Sequence, residues 1–544
     1  MISDMNITDF TNFRHSLKNE MCVYNKLFDG IQESEQGGDF ILPDFLPDIK
    51  QILHLRARPK YTGKYISGDK LEYEGEIIYS IIYLAEDDTI RSVAFANTYE
   101  KTVDIPGIDS NSIIVINPSI TQTSWRLSNP RKINIKIKLL IDLKVLAKQC
   151  IEPRINGKHS IEDEINLERN TSDITVMNVF SNDTNDITVS DTVELEGTYP
   201  QIKSILQCDA DIYIYEAKTM PDKVLYKGDA ILNCLYESDD GNYISVSKRI
   251  PISQIVDIYG VSDSGDWSCS VNALTESLRA ELMPNSYGET RNIAVELTYT
   301  TSVMAIFNDS VSVTKDIYST EYECTANHTR LDVTCLNRSY NMNFSVNASK
   351  ARTECNAEAA VNVICNDVLL SVDNVTLDKS RAKLILEGTA DITVISEMNG
   401  AENRFAGIRF TSPVKCELDG ASVDPNFEYI CNASVINNRG RLDTNNVYID
   451  FEVAVNMIVL GKSVTDVIET VNLDRDRKLS VEGRPPLTLY YPRRDELLWD
   501  IAKRYRTTSQ AIMTANNLPD RQTVSAKVLI IPQSKTKSIY SGVL

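Results

Sequence analysis

The side chains in this sequence that could do chemistry at neutral pH are few and scattered. Its four histidines, His15, His54, His159 and His328, lie far apart. His328 follows Cys324 by four residues and His159 precedes Asp163 by four, but neither pair belongs to a full zinc-ligand set at a known spacing, so no metal is expected. Eleven cysteines run from Cys22 to Cys431 without a Cys-x-x-Cys pair. An odd, dispersed set fits reduced, mostly buried thiols better than a disulfide framework. No Ser/His/Asp or Cys/His constellation and no Gly-rich phosphate loop stands out, nor does a glycosidase-like carboxylate pair among 76 acidic residues. The expectation is a protein that is not an enzyme and carries no cofactor. The aromatic residue that stands out is Trp499, with Arg493 and Arg494 nearby, because tryptophan and arginine dominate binding hot spots.

The elements that must position these residues are β-strands for most of the chain. At 544 residues the sequence is too long for one core and suggests three or four domains. Its 42% hydrophobic and 24% charged residues are ordinary for globular protein. A net charge of −20 argues against a nucleic-acid binder, since phosphate would be repelled over most of the surface. No run reaches the 18 or so apolar residues of a membrane span. Met1–Leu17, with Asp4 and Asp9, lacks the apolar centre of a secretory signal, so a cytosolic location is expected.

An internal repeat organises the chain. Pro47-Asp48-Ile49-Lys50-Gln51-Ile52-Leu53 is echoed by Pro200-Gln201-Ile202-Lys203-Ser204-Ile205-Leu206, an offset of 153 from residue 47 to residue 200. At the same offset Tyr73-Glu74-Gly75-Glu76 meets Tyr226-Lys227-Gly228-Asp229, Tyr83 meets Tyr236, and Val103-Asp104-Ile105 with Gly107 meets Val256-Asp257-Ile258 with Gly260. A more divergent third copy aligns Gly388 and Gly420 with Gly228 and Gly260, an offset of 160 from residue 228 to residue 388. At that offset Ala360 and Asn362 occupy the places of Pro200 and Ile202. Leu71, Tyr73, Ile77, Tyr79, Ile81 and Tyr83 alternate with Glu72, Glu74 and Glu76, as do Ile133 to Leu143 with Asn134, Lys136, Lys138 and Asp142. Alternation of this kind marks strands with one buried face, and the turns at Glu86-Asp87-Asp88, Asp239-Asp240-Gly241 and Met398-Asn399-Gly400 suit hairpins. The fold class expected is mainly β, with three β-sandwich-like or barrel-like repeats.

The Leu46–Leu53 stretch, followed by Tyr73-Glu74-Gly75-Glu76 and the Asp104-Ile105-Pro106-Gly107 turn, resembles the SPOCS domain of sporulating clostridia. That resemblance implies a part in spore coat morphogenesis. The boundaries expected are an N-terminal segment 1–30, then SPOCS-like repeats at 31–165, 166–320 and 321–480, the last divergent.

After Val481-Glu482-Gly483-Arg484-Pro485-Pro486, a linker, the period changes. Leu487–Tyr491 suits a strand, and Leu498, Ile501, Ala502 and Tyr505 share one helix face. Thr508 or Ser509 can cap a second helix carrying Ile512 and Ala515, and Val528–Pro532 gives a last strand. Leu498-Trp499-Asp500-Ile501-Ala502-Lys503-Arg504-Tyr505, then Ala515-Asn516-Asn517-Leu518 and Leu529-Ile530-Ile531-Pro532, closely resemble a LysM domain, a βααβ module expected at 486–533 with a tail at 534–544. LysM modules commonly bind N-acetylglucosamine polymers such as peptidoglycan. Here Asp495-Glu496-Leu497 replaces the usual Gly-Asp-Thr, and Ala526-Lys527 the usual Gly-Gln. Added Cβ atoms crowd the backbone where a sugar must approach, so protein binding is favoured over peptidoglycan. From Arg484 to Leu544 ten Lys+Arg face four Asp+Glu, +6 in a chain of −20, which leaves −26 on the rest. Such a basic tip suits an acidic partner. Trp499 lies one position off the Leu498/Ile501/Ala502/Tyr505 stripe, so part of its ring should reach solvent. The partner-binding set expected is Trp499, Arg493, Arg494, Leu497, Asn516, Asn517 and Lys527.

SPOCS-like repeats with a C-terminal LysM resemble the clostridial coat morphogenetic proteins of the SipL type. The resemblance implies binding, through LysM, to the coat ATPase stage IV sporulation protein A, at the forespore surface in the mother-cell cytoplasm. A peptidoglycan-binding protein of spore cortex or cell wall is the alternative.

Overall fold

The computed structural model describes residues 21–151, 154–156, 159–160, 167–479, 485, 487–493, 496–518 and 528–532. Residues 1–20 and the expected tail 534–544 lie outside the described residues. The chain is mainly β. In its first part β1 (Met21–Ile41), β2 (Ile49–Ser67), β3 (Lys70–Ala85), β4 (Ile90–Asp104), β5 (Ile113–Asn129) and β6 (Lys132–Ile151) form two antiparallel sheets, ordered β2-β3-β4 and β1-β6-β5. After the short β7 (Arg154–Ile155) and β8 (His159–Ser160), the pattern recurs. Strands β9 (Leu167–Glu194), β10 (Ile202–Met220), β11 (Lys223–Ser238), β12 (Tyr243–Asp257), β13 (Ser268–Pro284) and β14 (Thr290–Ser319) give sheets β10-β11-β12 and β13-β14-β9. It recurs again with β15 (Tyr322–Ala351), β16 (Ala360–Asp378), β17 (Lys383–Met398), β18 (Phe405–Asp419), β19 (Glu428–Leu442) and β20 (Asn446–Lys478), as β16-β17-β18 and β15-β20-β19.

The alternation explains each core. Leu71, Tyr73, Ile77, Tyr79, Ile81 and Tyr83 of β3 are buried and meet Ile133, Ile135, Ile137, Leu139, Ile141 and Leu143 of β6 in one cluster. Strands β11 and β14, and β17 and β20, pair their inner faces in the same way. Gly75, Gly228 and Gly388 hold one place. A Cβ on any of them would collide with a carbonyl of the neighbouring strand, that of Lys60, Tyr213 or Ser371. The repeated tyrosines also find a reason. The hydroxyls of Tyr83 and Tyr236 donate to the Pro47 and Pro200 carbonyls, at 3.3 and 3.5 Å. The third unit has neither residue: Ser396 stands at the tyrosine's position and donates to the Asn362 carbonyl at 2.6 Å.

Three bulges interrupt the pairing of β2 with β3, at Ile49/Gln51, Ile52/His54 and Tyr61/Gly63. They recur at Ile202/Ser204, Ile205/Gln207 and Ile214/Glu216, and at Ala360/Asn362, Val363/Cys365 and Val372/Asn374. Ala360 therefore matches Ile202 and not Pro200, because the β16–β17 turn runs two residues longer than its counterparts and absorbs the difference between the strand offsets. A bulge turns a residue out of the pleat, and here the residues so freed are Leu53, Leu206 and Ile364. They meet one another, with Ile82, Leu235 and Ile395, in a cluster drawn from all three units.

The contacts around that cluster are cyclic. Strand β4 lies against β10, β12 against β16, and β18 against β2, so the third unit closes back on the first. Ser92 donates to the Leu206 carbonyl, and Ser245 bonds Cys365. The matching position in β18 is Gly407, where a Cβ would collide with the Leu53 carbonyl. Near this centre, equivalent positions of β2, β10 and β16 bring together Arg56, Asp209 and Asp367. Arg56 lies 3.3 Å from Asp367 and donates to Asp211 at 2.7 and 2.8 Å. Arg58 lies 3.4 Å from Asp209, and His54 Nε2 3.2 Å from Asp367. Burial pushes the Asp367 carboxyl up, but Arg56 and His54 outweigh it and hold it far below the ordinary range.

On the other side the strands run on past their cores. Val23, Val176, Val313, Leu331, Val333 and Val467, from β1, β9, β14, β15 and β20, form a common cluster, so the long ends of the three units pack as one bundle. Reduced thiols were the expectation, and it is corrected at Cys208 and Cys234, which are joined as a disulfide, while Cys150 is disulfide-bonded as well. Cys208 and Cys234 are direct cross-strand partners with Cα atoms 4.2 Å apart, the close kind of antiparallel pair in which side chains meet.

Arg56→Met leaves Asp209 and Asp367 without their central cation, and a loss of about 3–5 kcal/mol is expected in denaturant unfolding. Adding Asp209→Leu and Asp367→Leu should recover most of it. Because the folded pKa of Asp367 is depressed, its contribution is complete above the unfolded value of about 4 and drains away as pH falls toward the folded value. Asp367→Asn should therefore flatten the fall of stability in an acid titration below about pH 4.

Candidate functional site

The C-terminal module is βααβ: β21 (Leu487–Tyr490), α1 (Leu498–Tyr505), α2 (Ser509–Asn516) and β22 (Leu529–Pro532). Leu498, Ile501 and Ala502 bury the expected face of α1, against Ile512, Leu529 and Ile531. Thr508 caps α2, its hydroxyl accepting from the Ala511 N–H at 3.0 Å. The two strands pair antiparallel from Leu487↔Pro532 to Tyr490↔Leu529.

The loop before α1 is tied down by a side chain. Glu496 accepts from the Arg493 N–H at 3.0 Å and from the Tyr490 hydroxyl at 2.9 and 3.0 Å, and it pairs with Arg504 at 3.0 Å. Burial raises the Glu496 carboxyl, and these donors more than offset it, leaving it lowered. Glu496 is thus held by three donors just ahead of α1. At the other end of the module Asn516 is fully engaged. Its amide donates to the Ile512 and Ile530 carbonyls at 2.8 and 2.6 Å and accepts from the Ile530 N–H at 2.7 Å. Asn516 fastens α2 to β22.

Trp499 is half-buried, and the reason lies outside the module. Its Nε1–H donates to Asp316 Oδ2 at 2.7 Å, and Lys503, one turn on, donates to the same carboxylate at 2.7 and 2.8 Å. Burial raises Asp316, while the bonds from Lys503 and Trp499 bring it below its ordinary value. Two residues along β14, Tyr318 meets the Trp499 ring edge-on with centroids 4.9 Å apart. Its hydroxyl donates to the Thr507 carbonyl at 2.6 Å. Tyr318 is 1% exposed and belongs to the module's own core cluster, so the second unit supplies part of the small domain's interior.

Arg493, Leu497 and Asn517 are exposed. Arg494 and Lys527 lie outside the described residues. The structure brings Arg493 and Leu497 into one loop, puts Asn516 and Asn517 at the far end of α2, and turns Trp499 toward the repeats. Sequence reasoning missed Asp316 and Tyr318, and the one hint available was the opposition of a +6 module to a −26 body. Among the described residues no three His, Cys, Asp or Glu group as metal ligands, and no helix is long and apolar enough to cross a membrane.

Compared with known families, residues 48–128 and 201–283 match the family described as SipL, SPOCS domain, and residues 493–532 match the LysM domain. The chain carries SPOCS domains and a LysM domain. This is the SipL-type architecture, that of sporulation coat-related proteins with a LysM module, and the matched domains are non-catalytic. Each SPOCS match begins one residue before a bulged strand, β2 or β10, and covers that strand, the meander and the strand that follows. No curated protein and no solved structure matches the chain.

Asn516→Ala removes two bonds that join α2 to β22 and one within α2, at a cost of about 1–3 kcal/mol. Hydrogen exchange across residues 509–516 should rise in the variant while β3 and β6 keep their protection.

Proposed function

We propose that this SPOCS–LysM chain is a non-enzymatic scaffold of spore coat assembly whose LysM module binds a protein. The partner in this reading is the coat morphogenetic ATPase stage IV sporulation protein A, met at the forespore surface in the mother-cell cytoplasm. The proposed body is three SPOCS-like repeats, 31–165, 166–320 and 321–480, that hold the module at their bundled end. The carrying observation is Glu496. Three donors converge on it just ahead of α1, beside Asp495, which by sequence stands where a sugar-binding LysM keeps its glycine. A polysaccharide needs close backbone approach there, whereas a protein can read the exposed Arg493, Leu497 and Asn517 side chains. Arg494 and Lys527 belong to the proposed surface by sequence, and Trp499 by its residue type and place on α1. The LysM match itself favours a second reading, binding to peptidoglycan of the cortex or cell wall.

Calorimetry on the intact chain separates the two. Binding to the purified ATPase at micromolar affinity or better, with none to chitin oligosaccharides or muropeptides, is the expected result. Micromolar binding to the glycans with no response to the ATPase sinks the protein-partner reading.

A further inference from the structure

The face of α1 that carries Trp499 and Lys503 is occupied by the chain itself. Its occupant is a strand edge on which a carboxylate and an aromatic ring stand two residues apart, Asp316 and Tyr318, and therefore on the same side. The complementarity is specific at both points. One carboxylate takes an indole N–H and an ammonium that lie four residues apart on α1, while the ring packs edge-on against the indole and its hydroxyl caps the end of the helix turn at Thr507. The occupant belongs to the second unit, although the module follows the third in sequence, so the contact is made across units. Asp316 lies outside the module's core, with its side chain 30% exposed, and Lys503 is 43% exposed. The polar half of the contact is therefore open to competition from solvent and from other carboxylates.

We infer that this α1 face is a recognition surface for an acidic strand or loop that presents a carboxylate and an aromatic ring two residues apart, and that β14 is its internal competitor. The inference rests on the reading that the module binds a protein, and it names the chemistry of that protein's contact. A tethered competitor acts at high effective concentration, so an external partner sees only the fraction of molecules whose face is free. Its apparent affinity is reduced by that fraction. Weakening the internal contact must then strengthen the external one, by reciprocity of coupling.

The test uses the full chain as wild type and as Asp316→Ala, with two probes. One is a synthetic peptide of residues 310–320, the competitor strand itself, and the other is the purified coat ATPase. Hydrogen exchange over 498–507 reports release of the face, and protection retained over 509–516 reports that the module stays folded. The Asp316→Ala chain should release the face and bind the peptide at least about fivefold more tightly than wild type, the lower end of ordinary coupling. Trp499→Phe in that background should remove the gain, as should Asp316→Ala in the peptide. ATPase binding should rise in parallel. A released, folded Asp316→Ala chain that binds the peptide no better than wild type overturns the inference, as does a variant whose face stays protected. If the peptide gains affinity and the ATPase binds neither form, the surface stands and the ATPase reading falls.

Discussion

One arginine between two aspartates fixes how the three units of this protein meet. Arg56, Asp209 and Asp367 occupy the same place in three similar units, and they come close enough to touch. Three identical residues there would fail. Three arginines or three aspartates would be buried against their own charge, and three apolar residues would pack without preference for order. One cation and two anions, extended by Arg58, Asp211 and His54, give the meeting point near-neutrality and a direction. The units can then be arranged in one cyclic order, the first supplying positive charge to the second and third. Around the charges, the bulged residues Leu53, Leu206 and Ile364 provide the apolar contact that water would otherwise enter.

The bulges make this possible. In a regular strand every second residue faces the unit's own core, and nothing remains to face a neighbour unit except the polar side. One extra residue in β2, β10 and β16 lets an apolar side chain leave the alternation without disturbing it on either side. The interface between units is thus built from the same strand that builds each core. A similar economy joins the small module to the body, where Tyr318 ends a strand of one domain and completes the interior of another. A module of this size has a small core, and the borrowed tyrosine covers one side of it.

Much of each unit was legible in the sequence. Strands β3 and β6 follow directly from alternation, and the recurring glycines mark a close backbone approach that the structure places at one position three times. The helices and cap of the module were equally plain, because the 3.6-residue stripe and Thr508 act locally. What was hidden depends on distant partners. Leu-Arg-Ala-Arg at residues 55–58 reads as a half-exposed strand, and nothing nearby reveals that its arginines face aspartates of two later units. The third unit's shifted register was misread because insertion in a turn moves one strand against the next without altering either pattern. Asp316 and Tyr318 sit at the end of an unremarkable polar strand, and their role exists only once the module has folded beside them. The disulfide at Cys208 and Cys234 was missed for a related reason, since residues 26 apart become neighbours only through strand register.

Cyclic closure has a cost in time. Gln51 waits for Asn403 across 352 residues. At ordinary ribosomal speeds that interval is roughly 20–70 s, during which the bulged leucine of β2 and its arginines are exposed. Long-range closure of this kind is slow and leaves sticky intermediates that invite assembly with the wrong neighbour. A nascent chain whose first unit still lacks its third could accept that unit from another chain, and the product would be an exchanged oligomer with every native contact intact. The charged centre limits which units can be exchanged but not whose chain they come from.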